Sequence, residues 1–348
     1  MSIDLTGGIP LDREEVFSSA PENPEMRDSV SFWISDDVGT FGIPRIGIEA
    51  EGRPWETHLF QSQMGFSDGR VYFNHDSGAT HPALDEQGRP YVLGAGPLEF
   101  RCLEPFARWV ATFDGEMQAT TADALIQGSK YAIDATTVPV SFEVEATLAT
   151  PPWVQGDLLP EAKALLESEV EGDYMGGPRY EQLFRCSGRV SVEGEEHTFN
   201  GSGLRIRRQG VRVLTDFWGH SWQSALFPSG KAFGYITYPP RADGKPTFNE
   251  GYLFDGDGEL IPARVVKAPW LRKLMASGDD VSVTLETEQG EVTIEGETII
   301  SVHATSHPMM PDFPVLFQGG VRYRWDGEET FGMLERSSTK DLIEWPET

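Results

Sequence analysis

Short runs in which apolar and polar residues alternate dominate the chain. In Val281-Ser282-Val283-Thr284-Leu285-Glu286-Thr287-Glu288, apolar residues take every second position until the run ends. That is the period of a strand with one buried and one wet face. The runs are rich in Val, Ile, Phe, Tyr, Thr and Trp, and turn residues interrupt them at short intervals, the mark of antiparallel strands. Three pairs read as hairpins. Residues 220–227 turn through Pro228-Ser229-Gly230 into 231–238, residues 247–254 turn through 255–258 into 259–266, and residues 281–288 turn at Gln289-Gly290 into 291–297. The first half offers candidate strands at 29–35, 42–48, 70–74, 98–103, 107–113 and 140–148. Helices are few: 159–170, with Pro160 near its start, and 268–276, with Pro269 in its first turn.

A chain of 348 residues exceeds one ordinary core, so two domains are expected. The natural break holds Pro151, Pro152, the acidic helix candidate and the loop 172–178, and strand patterns resume at Tyr180. Two blocks of roughly eight to ten strands each suit closed or nearly closed barrels, which remove exposed edges. The fold class read from the pattern is therefore all-β, with two consecutive antiparallel barrels.

Charge narrows the partners. With 28 Lys+Arg against 55 Asp+Glu, the net charge is −27. A surface so acidic disfavours DNA, RNA and anionic membrane. No apolar run is long enough to span a bilayer. The N-terminal residues show neither a cationic nor an apolar leader region, so a cytoplasmic location is expected. The two cysteines, Cys102 and Cys186, match no disulfide framework or zinc spacing. A homodimer is an assembly the sequence allows.

Candidate chemistry concentrates between Gly201 and Gly230. Four arginines (Arg205, Arg207, Arg208, Arg212) precede Asp216, Trp218, His220, Trp222 and Gln223. Strand period puts Leu204 and Ile206 on one face and Arg205 and Arg207 on the other. The arginines suit an anion or the polar end of a substrate, or equally ion pairs with the abundant carboxylates. Asp216, Trp218, His220 and Trp222 would form one row on a continuous strand. That row suits proton delivery to an alkene, with indole faces against a carbocation, or a buried His–Asp hydrogen bond holding a loop. Glu250 and Tyr252 would share a strand face near the same cavity. His75 with Asp76 and His81, and the pair His303 and His307, lack the spacing of a zinc site. No GxGxxG opens a helix after a strand, and no Walker loop or GxSxG elbow is present. No metal, nucleotide or other cofactor is expected.

Several of these segments resemble the two-domain lipocalin-like proteins, a group that includes carotenoid 1,2-hydratases, kievitone hydratase and fungal pericyclases. The similar positions are Gly201-x-Gly203-x-Arg205, Arg212, Gly219-His220-Ser221-Trp222, Asn249-Glu250-Gly251-Tyr252 and Gly332–Ser337 in the second half. In the first half they are Asp28–Trp33, Gly96-Pro97-Leu98, Trp109 and Asp114-Gly115. Carotenoid hydratases are closer to Asp-His-Gln-Trp where this chain has Gly219-His220-Ser221-Trp222. The resemblance implies a lipocalin-like barrel over 1–155, a linker with a short helix over 156–179 and a second barrel over 180–348. It also implies a hydrophobic pocket near their junction. The expected function is a cofactor-independent lyase, hydratase or isomerase acting on a lipophilic unsaturated small molecule. Asp216 and His220 would move the proton, and Arg205, Arg207, Arg212, Trp218, Trp222, Gln223, Glu250 and Tyr252 would contact the substrate. The alternative is a non-catalytic carrier of lipophilic small molecules.

Overall fold

The computed structural model describes residues 3–128, 136–167, 179–211, 217–306 and 312–346. It is 59% strand and 6% helix, which settles the all-β class. The first sheet contains β1 (Met26–Asp36), β2 (Phe41–Glu51), β3 (Thr57–Phe66), β4 (Arg70–Ala79), β5 (Val92–Ala95), β6 (Leu98–Glu104), β7 (Arg108–Thr121), β8 (Thr136–Leu148), β9 (Trp153–Val154), β10 (Arg179–Val192) and β11 (Glu195–Val211). The ladder runs β4-β3-β2-β1-β11-β10-β8-β7, and β4 pairs back onto the end of β7, so the sheet closes on itself. The second sheet is a closed barrel in chain order: β12 (Gly219–Leu226), β13 (Ala232–Thr237), β14 (Asn249–Phe254), β15 (Ile261–Lys267), β16 (Val283–Thr287), β17 (Gly290–Ala304), β18 (Val315–Trp325) and β19 (Glu328–Ser338).

The partition between the sheets differs from the expected one. β10 and β11 lie in the range assigned to the second barrel from residue 180 onward. Their ladders run instead to β8 and β1. The first sheet thus takes strands through Val211, and the second begins at Gly219. The reason is non-local: β1 needs a second neighbour to close its barrel, and β11 supplies it over Met26↔Val211 to Asp36↔Gly201. Gly203 permits this close pairing. A Cβ there would stand 2.2 Å from the Trp33 carbonyl and 2.5 Å from the Phe184 ring.

The three expected hairpins are present. Gly230, with φ 97°, makes the turn between β12 and β13. The helix expected near Pro160 is α2 (Pro160–Leu166), preceded by α1 (Ala122–Gln127). Residues 268–276 are not helical. Leu271 and Leu274 anchor that segment in the second core, and the Arg272 carbonyl accepts from Glu344 N–H of the C-terminal segment. Among the described residues no helix is long and apolar enough to cross a membrane.

Each barrel fills its own interior. Phe32, Phe100, Phe184 and Trp109 pack in the first, and Phe233, Tyr235, Val283 and Tyr323 in the second. A third core joins them, with Trp33, Leu183, Leu204 and Ile206 on one side and Trp222, Leu226, Ile236 and Met333 on the other. Each such side chain contributes about 1.5–3 kcal/mol on burial. This apolar seam holds the two barrels against each other and positions the groups described next.

Candidate functional site

The alternation in β11 is as expected, but its polar face points into the first barrel. Facing residues across a ladder share a side: Phe32 pairs with Arg205 and Arg205 with Gln182, while Val30 pairs with Arg207 and Arg207 with Tyr180. Arg205 Nη1 lies 2.5 Å from Glu14 Oε2 and its Nη2 donates to Gln182 Oε1 at 2.7 Å. Arg207 pairs with Asp28 and donates to the backbone carbonyls of Ser29 and Glu15. Glu14 also accepts from Trp109 Nε1 at 2.8 Å and from the Tyr180 hydroxyl at 2.5 Å. Burial raises the Glu14 carboxyl, but the Arg205 charge and these hydrogen bonds outweigh it and hold it below the usual range. The N-terminal strap around Glu14 therefore closes one end of the barrel. The charges of Arg205 and Arg207 are spent there, away from His220.

β12 alternates the other way. Ser221 and Gln223 point into the second barrel, where Ser221 Oγ meets the Tyr235 hydroxyl at 2.9 Å and Gln223 donates to the Val281 carbonyl at 3.0 Å. His220 and Trp222 face the junction. The Trp222 indole meets Trp33 edge-on with centroids 4.7 Å apart, carries the Arg179 guanidinium over its ring, and donates to Glu181 Oε2 at 3.1 Å. Burial drives the Glu181 carboxyl upward despite Arg179.

His220 sits between two groups of β19. Its Nδ1 is 2.7 Å from Ser337 Oγ and its Nε2 is 3.2 Å from Glu335 Oε1. The backbone N–H of His220 also donates to Ser337 Oγ. Glu335 accepts from Gln318, which in turn accepts from Gln63 of the first barrel at 2.6 Å, and Arg45 stands 3.9 Å from the same carboxylate. Burial would raise this carboxyl; the hydrogen bond from His220, the Arg45 and His220 charges and Gln318 together pull it down to about 2. It is an anion at neutral pH. The imidazole's other neighbour is Phe217, 5.4 Å away between ring centroids, in an aromatic group with Tyr238 and Phe313.

The expected row of four breaks at Gly219, whose φ of 131° starts the strand. Trp218 lies outside β12, donates to the Pro239 carbonyl at 3.0 Å and packs on Tyr238 and Arg241. Asp216 and Arg212 lie outside the described residues, as does His307. Glu250 and Tyr252 share a face, as expected, but both meet Trp153. Glu250 accepts from the N–H groups of Gly156, Leu158 and Leu159, tying down the approach to α2, and burial pushes its carboxyl up against those bonds. His81 is held by Glu99 and the Gly96 carbonyl. His303 is buried against Phe317 and pushed down to about 4 by that burial. Among the described residues no group of three or more metal-ligating side chains converges.

Sequence reasoning missed Glu335, Ser337, Gln318 and Glu14 as site or network residues. Gly332–Ser337 carried family resemblance, but no local pattern pairs Ser337 with His220 from 117 residues away. Among the described residues, a crevice of about 10 Å³ at the junction is lined by Trp33, Leu204, Ser224 and Met333 among others.

Comparison with known proteins fits this architecture. The fold is shared with an AttH-like protein from Nitrosomonas europaea at 15% identity and TM-score 0.54, over 93% of this chain and 98% of that one. CghA, solved with Sch210972, matches at 10% identity and TM-score 0.55, over 91% and 89%. Kievitone hydratase from Nectria haematococca matches at 9% identity and TM-score 0.50, over 97% and 96%. At such identities the likeness is one of fold. None of the curated proteins compared matches the chain. A family model described as a domain of unknown function, DUF7064, matches residues 14–340. With nearly its whole length matched and the two-barrel fold shared, the chain belongs to the DUF7064 family and to the lipocalin-like architecture its sequence resembles.

Proposed function

We propose that the protein is a cofactor-independent lyase, hydratase or isomerase that moves a proton on a lipophilic, unsaturated small molecule at the junction of the barrels. The observation that carries this reading is the imidazole of His220, held between Ser337 Oγ and an anionic Glu335. A carboxylate that accepts Nε2–H fixes the tautomer and stabilises the imidazolium formed when Nδ1 takes a proton. The aromatic group at Phe217 would supply an apolar wall and ring faces for a developing positive charge. Asp216, four residues before His220, is the second titratable group in this proposal. Of the three arginines nominated for a polar end of the substrate, Arg205 and Arg207 are spent on carboxylates, which leaves Arg212 for that role. A shared fold with a hydratase supports the reading in general terms and does not supply the substrate.

The test begins with ligands extracted from the native protein and identified by mass spectrometry. His220→Gln and Asp216→Asn are expected to leave their binding nearly intact and to cut turnover about 10²–10⁴-fold, the usual contribution of a general acid–base group. Trp222→Ala is expected to weaken binding. Absence of any turnover, with only modest affinity changes in all three variants, would leave the carrier reading in place of the catalytic one.

A further inference from the structure

The first barrel has two unlike ends. One is closed by Glu14, Arg205, Arg207 and Asp28. The other opens into a cavity of about 550 Å³ between the β1–β2 turn, the β3–β4 turn and the start of β11. Interior aromatics make its floor: Phe41 lies 5.3 Å from Phe66 and 5.2 Å from Phe199 between ring centroids. His197 flanks them, 6.1 Å from Phe66. Asp36, Asp37 and Asp68 line the opening, together with a single arginine, Arg70. That arginine is already committed, with its Nε 2.9 Å from Asp68 Oδ2 and its guanidinium 4.5 Å above the Phe66 ring. The rim thus carries more anions than cations, and the floor is π-surface.

We propose that this mouth binds a small organic ammonium ion with an apolar body, an alkyl- or arylalkylammonium. The volume lies in the range of small-ligand pockets, roughly 300–1,000 Å³, and the end of an eight-stranded barrel is a usual place for one. Phenyl faces attract cations, and desolvation at a barrel mouth strengthens that attraction. The protein's own Arg70 demonstrates the geometry on Phe66. Asp36 is oriented by Thr40, whose N–H and hydroxyl it accepts, and Asp37 stands exposed at the same turn. With Asp68 and Arg70 paired to each other, an anionic ligand would meet the carboxylates of Asp36 and Asp37 with no uncommitted guanidinium in the lining. The chain's net charge of −27 adds a general attraction for cations.

This site lies apart from His220, although its β1–β2 turn borders the second barrel. The β1–β2 turn lies against Phe331, whose ring a Cβ on Gly39 would strike at 2.2 Å. From Phe331 to Ser337, the partner of His220, β19 runs six residues, about 20 Å at strand rise. The proposal does not depend on the reading of His220.

Calorimetric titration of the full chain with phenethylammonium, 2-phenylethanol and phenylacetate tests it. The ammonium is expected to bind, with the alcohol and the carboxylate each at least about tenfold weaker. Asp37→Asn on the exposed turn is expected to weaken the ammonium about three- to fivefold. Ser67→Trp, which sets an indole across the opening from the β3–β4 turn, should weaken it at least about tenfold by filling the space. His220→Gln should leave this affinity unchanged, which separates the site from the His220 site. Equal affinity for all three probes, or ammonium binding untouched by both Asp37→Asn and Ser67→Trp, would overturn the proposal.

Discussion

In the first barrel Glu14 meets Arg205 across 2.5 Å, and at the junction Glu335 meets His220 across 3.2 Å. Both carboxylates are buried, both are held below their ordinary range, and both are supported by further donors. The partners differ. A guanidinium does not give up its proton under any ordinary condition, so the Glu14–Arg205 pair can only hold structure. An imidazole can both take and give a proton at its ring nitrogens, so the Glu335–His220 pair can exchange protons with a third group, and Ser337 stands at the other ring nitrogen. Arg205 and Arg207, in the most arginine-rich stretch of an acidic chain, are therefore scaffold. The group with chemical potential draws on a strand, Glu328–Ser338, whose sequence advertises little.

The largest expected effect attacks the scaffold side. Glu14→Ala leaves Arg205 as an uncompensated buried charge and strips Trp109 and Tyr180 of their acceptor. Such a break costs about 3–5 kcal/mol, read as a shifted urea unfolding midpoint. Removing both charges, Glu14→Gln with Arg205→Met, should cost less than the two single changes summed, because neither partner is then stranded. A single-variant loss below about 1 kcal/mol would remove the claim that this network holds the barrel end closed.

Next comes acid sensitivity at the junction. The Glu335 carboxyl sits at about 2 in the folded protein against 4.5 for an ordinary glutamate. As pH falls below 4.5 the unfolded chain takes up the proton first, so folded stability declines. The contribution is fully present above about pH 4.5 and is lost progressively as pH falls towards about 2. Glu14 shifts in the same direction, so the wild type alone cannot apportion the loss. Glu335→Gln should flatten part of the acid branch of a stability–pH curve and leave the part due to Glu14. An unchanged acid branch in that variant would contradict the anionic assignment of Glu335.

The alternation of Val281–Leu285 and the Pro-Ser-Gly turn at 228–230 made the second barrel's hairpins legible, because strand period and turn chemistry are local. The faces of β11 were legible too: Leu204 and Ile206 oppose Arg205 and Arg207. What period alone could not supply was direction, since either face of a strand can be the inner one. Here the apolar face packs on the second barrel, and the charged face goes inside because the N-terminal strap brings Glu14 to it. The partition failed for a related reason. Pro151 and Pro152 looked like a domain end, yet β10 and β11 return to β8 and β1, and only ladder closure dictates that. His220 and Trp222 were read onto one face, and both do face the junction. Their partners Ser337, Glu335 and Trp33 come from distant strands, beyond any local signal.

The smallest expected effect sharpens the same contrast at the hydroxyl. Ser337 Oγ accepts from the His220 backbone N–H at 3.1 Å and stands 2.7 Å from Nδ1. Ser337→Ala removes one buried hydroxyl and should cost only about 1 kcal/mol of stability, well below the Glu14 effect. Its value lies in the activity readout. If the hydroxyl merely orients the ring, Glu335 still fixes the tautomer through Nε2, and turnover should drop far less than in His220→Gln with its pH profile unmoved. If the hydroxyl passes the proton between Nδ1 and the substrate, turnover in Ser337→Ala should fall nearly as far as in His220→Gln, while binding persists. The geometry favours the second outcome: with Nε2–H given to Glu335, Nδ1 is left as the acceptor, and Ser337 is the donor that faces it. A full-length ligand-bound Ser337→Ala protein with near-normal turnover would return Ser337 to the scaffold, alongside Arg205.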